Sequence, residues 1–271
     1  MLVFVTACGS DQQVVSGGND DPTPPASDPD VGAAELVLSV EVGGGLLPAG
    51  QAFRTVPSAV VYGDGTTLSP GATVAIYPGP AAVPITRGTL DKSELERLVS
   101  AAGNAGLLDD TDDDYGRPPV ADVTTTTVRI VAGGKTHVTS VYALHPGATP
   151  LPGVGFAQQQ ARERVVDYVD LVIQAIVAAE GEPYVPERYW VLPLAPDLTV
   201  DPAVAPDGQN WPFPDVVLGE GECTVVSGNR AIELGHALQT ATEISRWRTA
   251  SGETFVLSVR PALPHEADCP G

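Results

Sequence analysis

The chain is poor in positive charge. It has 271 residues, of which 14 are Lys or Arg and 34 are Asp or Glu, so the formal net charge is −20. Its only lysines are Lys92 and Lys135, and no basic cluster interrupts the acidic surface. Such a chain repels the phosphates of nucleic acids and anionic lipid headgroups. We therefore expect no nucleic-acid partner. The charge favours cations or basic partners, and high solubility is its simpler consequence.

The sequence also lacks the motifs that reveal the large classes of secreted hydrolases and nucleotide-binding enzymes. It has no G-x-S-x-G elbow, no S-x-x-K or H-E-x-x-H motif, no Walker A loop and no G-x-G-x-x-G after a strand. No apolar run reaches the 18 residues of a membrane-spanning helix. We assign no catalytic residues and favour a protein that is not an enzyme.

Cysteine is scarce, and the first of the three lies in a short apolar opening segment. Val5-Thr6-Ala7-Cys8 resembles the bacterial lipobox, in which an aliphatic residue and two small ones precede a lipidated Cys. The resemblance implies a covalent diacylglycerol on Cys8, whose two acyl chains suffice for stable anchoring. No Lys or Arg precedes Cys8, so we expect the translated start to lie upstream of Met1, unless the sequence has been trimmed. A chance Cys after an apolar run is the alternative.

The segment after Cys8 has the composition of a tether. Residues 9–33 are rich in Gly, Ser, Asp and Pro and contain no aromatic and no basic residue. Such a segment buries too little apolar surface to fold, so we predict a disordered acidic tether. Residues 1–8 are then the remnant of a lipoprotein signal peptide. The predicted location is the cell membrane, lipid-anchored and facing the extracytoplasmic side, with no cofactor besides the lipid.

The other two cysteines form an even pair. In an oxidising compartment we predict a disulfide between Cys223 and Cys269, which closes a 46-residue separation. In the chain-entropy view, closing such a loop contributes about 4 kcal/mol. A metal site is the alternative, because His265 lies four residues before Cys269.

Alternating apolar residues and turn signals predict an α+β fold. The Gly133-Gly134 turn between residues 123–132 and 135–144 indicates a hairpin. Asp91 and Glu94 form a capping-box pattern before an apolar helical face. We predict an antiparallel sheet with helices packed on one face at residues 34–180, a boundary at 181–186, and a smaller disulfide-stapled α+β unit at 187–271. Further predictions are strands at 72–77 and 84–90, a helix at 156–179, and a helix capped by Asn229.

Two sets of side chains are weak candidates for binding sites. Asp110, Asp112 and Asp114 have the 1-3-5 spacing of a calcium loop, but Tyr115 stands where that loop needs Gly. A solvated acidic loop is the better interpretation. Trp211 and Phe213 lie in a Pro-rich segment that could present a recognition face, although aromatic residues of this kind more often fill a core.

Histidine offers the remaining route to catalysis. His236 follows Glu233 by three residues on a predicted helix, and His265 neighbours Glu266. Either pair could supply a general base, but no Ser or Cys nucleophile is tied to it by spacing. An envelope hydrolase that uses His236 or His265 with a carboxylate is therefore an alternative function, as is a calcium-binding surface protein.

The chain as a whole resembles the uncharacterised lipoproteins of high-GC Gram-positive bacteria. The resemblance rests on the lipobox, the strand and Gly run at residues 36–45, the turn at 61–65, and the tail from Arg260 to Cys269. It implies a lipid-anchored envelope protein and no established activity. We expect a monomeric, non-catalytic binding protein whose partners are the membrane, through the lipid, and an envelope protein or glycan.

Overall fold

The computed structural model describes residues 35–109, 114–144, 151–196 and 208–269. These residues form four helices and twelve strands, which make two sheets, and a disulfide lies in the C-terminal part. The predicted α+β class is confirmed. Within these ranges no helix has the length and apolar character needed to cross a membrane. The predicted signal remnant, the tether and Cys8 lie outside the described residues.

The first sheet has seven strands in the described part, and every neighbouring pair is antiparallel. Their order across the sheet places the N-terminal strand inside the sheet, because the hairpin of the fifth and sixth strands pairs with one side of it. In spatial order the strands are β6 (Lys135–Tyr142), β5 (Thr125–Ala132), β1 (Leu36–Gly43), β2 (Ala59–Tyr62), β3 (Thr66–Pro70), β4 (Ile85–Thr89) and β7 (Glu180–Pro183).

The hairpin of β5 and β6 shows how local sequence sets this register. Gly133 and Gly134 have φ values of 57° and 75°, the left-handed conformation that a two-residue turn of type I′ requires. The pairing then runs from Ala132–Lys135 to Thr125–Tyr142 without interruption. The predicted hairpin is therefore confirmed.

Two helices cover one face of the first sheet, as predicted. They are α2 (Lys92–Asn104) and α3 (Phe156–Ala178), and their apolar sides meet Val40 and Val128 of the sheet. Asp91 caps α2 by accepting a hydrogen bond from the Glu94 backbone N–H at 2.8 Å. The Glu94 side chain binds Arg97 at 2.6 and 2.8 Å, so the predicted return contact of Glu94 is replaced by an ion pair within the helix.

The second sheet has five strands in the described residues. Its neighbours are antiparallel except for β9 and β11, which are parallel. One helix, α1 (Ala49–Arg54), comes from the N-terminal half of the chain and packs on this sheet. In spatial order the strands are β10 (Thr224–Ser227), β8 (Arg188–Leu194), β12 (Thr254–Pro261), β11 (Arg246–Arg248) and β9 (Gln209–Asn210).

The core of the second sheet is rich in aromatic rings. Trp211 packs edge-on against Phe213 and Trp247, with ring centroids 5.1 and 6.4 Å apart. The helix α4 (Asn229–Leu238) closes this core with Leu234. Its N-cap is Gly228 at φ 63°, not Asn229 as predicted, because the chain turns into the helix through a left-handed residue that favours glycine.

The two sheets are joined by shared packing. Leu263, which follows β12, is buried against Val60, Tyr62 and Leu68 on the face of the first sheet that α2 and α3 leave open. Ala81, from the connection between β3 and β4, is buried in the core of the second sheet. Each half of the chain therefore contributes a buried residue to a core that the sheet of the other half builds.

Three segments differ from the sequence expectations. Residues 72–77 form an exposed loop, not a strand, since their apolar side chains find no sheet neighbour. The segment Ala49–Arg54 forms a helix that was not predicted, because its neighbours in the sequence are rich in Gly and Pro. Part of the expected boundary at residues 181–186 belongs to β7, which completes the first sheet by pairing with β4.

Candidate functional site

A cleft of about 760 Å³ lies between the two sheets. We call it the inter-sheet cleft. It falls in the size range of small-molecule sites in proteins. One wall comes from β1 and β5 of the first sheet, and the other from α1, β8 and the end of β12. Its polar and aromatic lining residues are Glu41, Phe53, Thr55, Thr125, Thr127, Trp190, Arg260 and Glu266.

A buried ion pair forms part of the cleft wall. The Arg260 guanidinium donates to Glu266 Oε1 at 2.7 Å, and the two side chains are 8% and 17% exposed. The same guanidinium lies 4.6 Å from the centre of the Trp190 ring, a cation–π contact. Glu266 Oε2 accepts the Leu263 backbone N–H at 2.8 Å. This network fixes the tail after β12 against β8 and so shapes one side of the cleft.

Two buried N–H groups beside this network have no partner. Trp190 Nε1 and Arg260 Nε are shielded from solvent and make no hydrogen bond with any described residue. A buried donor left unsatisfied costs about 1–3 kcal/mol, and native proteins pair nearly all such groups. Because both groups are shielded, neither is presented to the open space of the inter-sheet cleft.

The opposite wall carries the hydroxyl groups of Thr125 and Thr127 and the carboxylate of Glu41. Glu41 pairs with Thr127 across β1 and β5, which places these side chains on the same face of the sheet. That face is opposite to the one that α2 and α3 cover. Glu41 is exposed and makes no ion pair with any described residue.

The cleft lies near the end of the first sheet where β1 finishes. Its lining includes Gly43 and Gly44 and the first residue of β5, Thr125. A Cβ atom built on Gly43 meets no atom within 4 Å, so a side chain at this position has room to enter the cleft. Connections at the same end of the sheet expose several large apolar side chains: Leu46, Leu47, Val74, Ile76, Tyr77 and Val185.

His265 is engaged by a tyrosine beside the cleft, not in it. The Tyr62 hydroxyl and His265 Nδ1 form a hydrogen bond at 2.9 Å. Burial raises the pKa of Tyr62, with Tyr184 and Glu266 acting in the same direction, so the hydroxyl stays protonated. Desolvation lowers the pKa of His265. A neutral imidazole that is hydrogen-bonded to a buried hydroxyl joins the tail to the first sheet, and its contacts are those of a structural residue.

The other candidate for histidine catalysis lies elsewhere. His236 is in the last turn of α4, on the second sheet's helix, and does not line the inter-sheet cleft. His137 lies in β6, and His145 is outside the described residues. Neither of the histidines proposed for catalysis, His236 or His265, is among the residues that line the inter-sheet cleft.

Only one of the three carboxylates of the candidate calcium loop, that of Asp114, lies within the described residues. Asp110 and Asp112 lie outside the described residues. The Asp114 carboxylate accepts hydrogen bonds from the Gly116 backbone N–H at 2.9 Å and from the Gln158 amide at 2.7 Å. These bonds lower the pKa of Asp114 and join the loop to the start of α3. Among the described residues no group of three acidic, His or Cys side chains could hold a metal ion.

The prediction that Trp211 and Phe213 form a recognition face is wrong. They are 5% and 3% exposed and form part of the second core. The Trp211 indole N–H donates to the Val216 carbonyl at 3.1 Å, so the polar edge of the ring is also used internally. The alternative interpretation from the sequence, that these rings fill the core, is the one the structure supports.

The disulfide joins Cys223 and Cys269, with the two Cα atoms 6.1 Å apart. It ties the tail to the residue before β10. The tail is also held by Arg188, which donates to the Ala267 carbonyl at 3.1 Å. The cysteines are therefore used in a covalent link, and the metal alternative for this pair is excluded in this state.

Sequence reasoning missed the inter-sheet cleft. Its lining comes from segments more than 200 residues apart, from Glu41 to Glu266, and carries no motif. The sequence contains Arg260 and Glu266 in its tail and Trp190 in a predicted strand. Only the fold shows that these three side chains meet. No protein-family model, curated protein or solved structure matches this chain.

Proposed function

We propose that this chain is a lipid-anchored, extracytoplasmic binding protein of the bacterial cell envelope, without catalytic activity, that holds its ligand in the inter-sheet cleft. The observation that carries the proposal is the cleft itself. It combines an ionisable wall, hydroxyl groups and apolar surface in a volume suited to a small ligand or a segment of a partner.

The position of the cleft supports this role. The described chain begins at Glu35, at one end of β1, and the cleft lies near the other end, about 25 Å away for a strand of this length. A chain held at the membrane through Cys8 and residues 9–33 would enter the domain at the Glu35 end. The cleft would then be free to face the space beyond the membrane.

The disulfide supports the location. Disulfides form and persist in oxidising compartments and are rare in the cytosol. A bridge between Cys223 and Cys269 fits a protein that folds after export. The strongly acidic surface is compatible with this environment and gives no basic patch by which the chain would bind anionic lipid directly.

The anchor is tested by mass. The gene is expressed from its upstream start in a Gram-positive host, and the intact mass of membrane-extracted protein is compared with that of Cys8→Ala. We expect a chain that begins at Cys8 and carries a diacylglycerol, and a Cys8→Ala variant without it. An unmodified chain in the cytosol would overturn the location.

The binding role is tested with a variant that fills the cleft. Gly43→Trp places a large ring where a Cβ has open space, whereas Val138→Trp adds the same ring on the exposed strand β6, outside the cleft. Each protein is purified from host envelope under mild conditions and weighed by native mass spectrometry. We expect a bound mass on the wild type and on Val138→Trp but not on Gly43→Trp. Equal retention by Gly43→Trp contradicts the proposal.

A further inference from the structure

The charges that line the inter-sheet cleft do not balance. Two carboxylates, Glu41 and Glu266, face one guanidinium, Arg260. We infer that the ligand of this cleft carries a positive charge, an amine or a guanidinium, on an apolar body. This inference rests on the proposed binding function and specifies the class of ligand that the site accepts.

The single positive group of the cleft is already occupied. Arg260 is held by Glu266 at 2.7 Å and lies over the face of Trp190 at 4.6 Å. An anionic ligand at Arg260 would lie beside the Glu266 carboxylate, which is 17% exposed and bonded to the Leu263 backbone. A second negative charge beside Glu266, or loss of the pair to avoid it, is costly. The site therefore disfavours a negative ligand.

Glu266 is equally unavailable to a cation. One of its oxygens accepts from Arg260 and the other accepts from the Leu263 N–H. This leaves Glu41, which has no hydrogen bond or ion pair with any described residue. It stands at the solvent-exposed side of the lining, where an entering cation can reach it without breaking an existing contact.

The charge of the whole molecule acts in the same direction. A net charge of −20 attracts cations over distances of several ångströms and repels anions. Among the residues that line the cleft, Glu41 is the carboxylate that remains after Arg260 and Glu266 neutralise one another. The protein thus favours both the approach and the docking of a positive group.

The apolar part of the lining defines the rest of the ligand. Phe53 lies on α1, Val56 follows that helix, and Leu192 lies on β8. A ligand with an apolar body buries surface against these residues and contributes about 25 cal/mol per Å² of apolar area removed from water. A small, strongly hydrated inorganic cation would gain nothing from these walls.

Three probes of one shape and different charge test the inference. They are 2-phenylethylamine, 2-phenylethanol and phenylacetate, titrated into the folded protein and followed by protein NMR shifts. We expect the amine to bind about two- to fivefold more tightly than the alcohol, the range of one partly exposed charge pair, and the acid to bind weakest. The preference for the amine should decrease as salt is added, because the ions screen Glu41.

Matched variants assign the effect to the cleft. Glu41→Gln should lower the affinity for the amine to that for the alcohol and leave the alcohol unchanged. Glu163→Gln, an exposed carboxylate on the helical side of the first sheet, should leave all three affinities unchanged. Gly43→Trp should abolish binding of every probe.

The outcomes separate the two proposals. If the alcohol or the acid binds as tightly as the amine, and Gly43→Trp abolishes that binding, the cleft is a binding site but the inferred charge is wrong. If the amine does not bind, or if Glu41→Gln binds it as well as the wild type, the inference is also overturned. Amine binding that survives in Gly43→Trp places recognition on another surface and contradicts both proposals.

Discussion

The first and second sheets are built from different side chains and are closed in different ways. Aliphatic residues form the core between the first sheet and α2 and α3, with Leu98 and Val165 fully buried. Aromatic rings dominate the second core, where Trp247 is 1% exposed. The first sheet is closed by helices near in sequence, whereas the second needs a disulfide, the C-terminal tail and α1 from the other half of the chain.

This contrast explains where the inter-sheet cleft arises. A sheet that its own helices cover on one face leaves the other face to be completed by distant segments. Here the tail after β12 covers only part of that face, through Leu263. The part beside β1 and β5 stays open and becomes a wall of the inter-sheet cleft. The two regions should therefore fold as one unit, and the following variants test this.

Removal of the largest buried ring should have the greatest effect. Trp247→Ala leaves a cavity beside Trp211 and is expected to lower the free energy of unfolding by about 3–5 kcal/mol. Leu98→Ala in the first core should cost about 2–5 kcal/mol. Urea unfolding followed by circular dichroism should show one transition for both variants. Two separate transitions, each moved by only one variant, would show that the sheets fold independently.

Loss of the disulfide should come next. Cys223→Ser combined with Cys269→Ser removes a link across a separation of 46 residues, and we expect a loss of about 2–4 kcal/mol. The loss should equal that caused by reduction of the wild type, because both remove the same constraint from the unfolded chain. A midpoint of urea unfolding that is unchanged in the double variant contradicts a role for the bridge in closing the second region.

Sequence patterns predicted the elements with local signals better than the elements that depend on distant partners, for a physical reason. The β5–β6 hairpin, α2 and α3 are specified by turn glycines, a capping Asp and an apolar stripe, all within a few residues of one another. The strand β7 and the helix α1 depend on partners far away in the chain, and short segments such as Glu180–Pro183 carry no periodic signal.

The candidate site was less predictable than the fold. The number of cysteines was enough to predict the disulfide. The cleft could not be predicted in this way, because it depends on which side chains the tail places beside β1. In the sequence, Trp190 is only an aromatic residue of a predicted strand and Arg260 is only an arginine near the tail. Their cation–π contact exists because β8 and β12 pair. The Pro-rich context of Trp211 and Phe213 suggested an exposed recognition face, but both rings are buried in the second core.

The contribution of the Tyr62–His265 contact, which joins the tail to the first sheet, should depend on pH. His265→Ala leaves the buried Tyr62 hydroxyl without its hydrogen-bond partner, which we expect to cost about 1 kcal/mol at pH 8. Because the pKa of His265 is lowered on folding, the unfolded chain binds the proton more readily. Wild-type stability should therefore fall as pH decreases through about 6.5, and its advantage over His265→Ala should shrink.

The control for this variant is His236→Ala, which removes an exposed ring from α4. Chemical unfolding is measured from pH 8 to pH 5 for the three proteins. A difference between wild type and His265→Ala that stays constant over this range would show that the Tyr62–His265 contact does not sense protonation.

The smallest effect is expected at the cap of α2. Asp91→Ala should destabilise the first region slightly, whereas Asp91→Asn keeps the capping group and should change little. Hydrogen bonds from Ser93 and from the Glu94 backbone lower the pKa of Asp91. Its contribution is therefore present above the unfolded pKa of about 3.9 and is lost as pH falls below it. Unfolding midpoints from pH 7 to pH 3 should converge for wild type and Asp91→Ala.

The central claim is that the ligand lies between the two sheets, and hydrogen–deuterium exchange tests it most directly. The wild-type protein is compared with and without the low-molecular-mass fraction of host envelope extract. We predict slower exchange in segments that line the cleft, at residues 41–44, 125–127 and 190–192, and no such change in Gly43→Trp. Protection confined to α2 and α3, or identical protection in Gly43→Trp, would contradict the account.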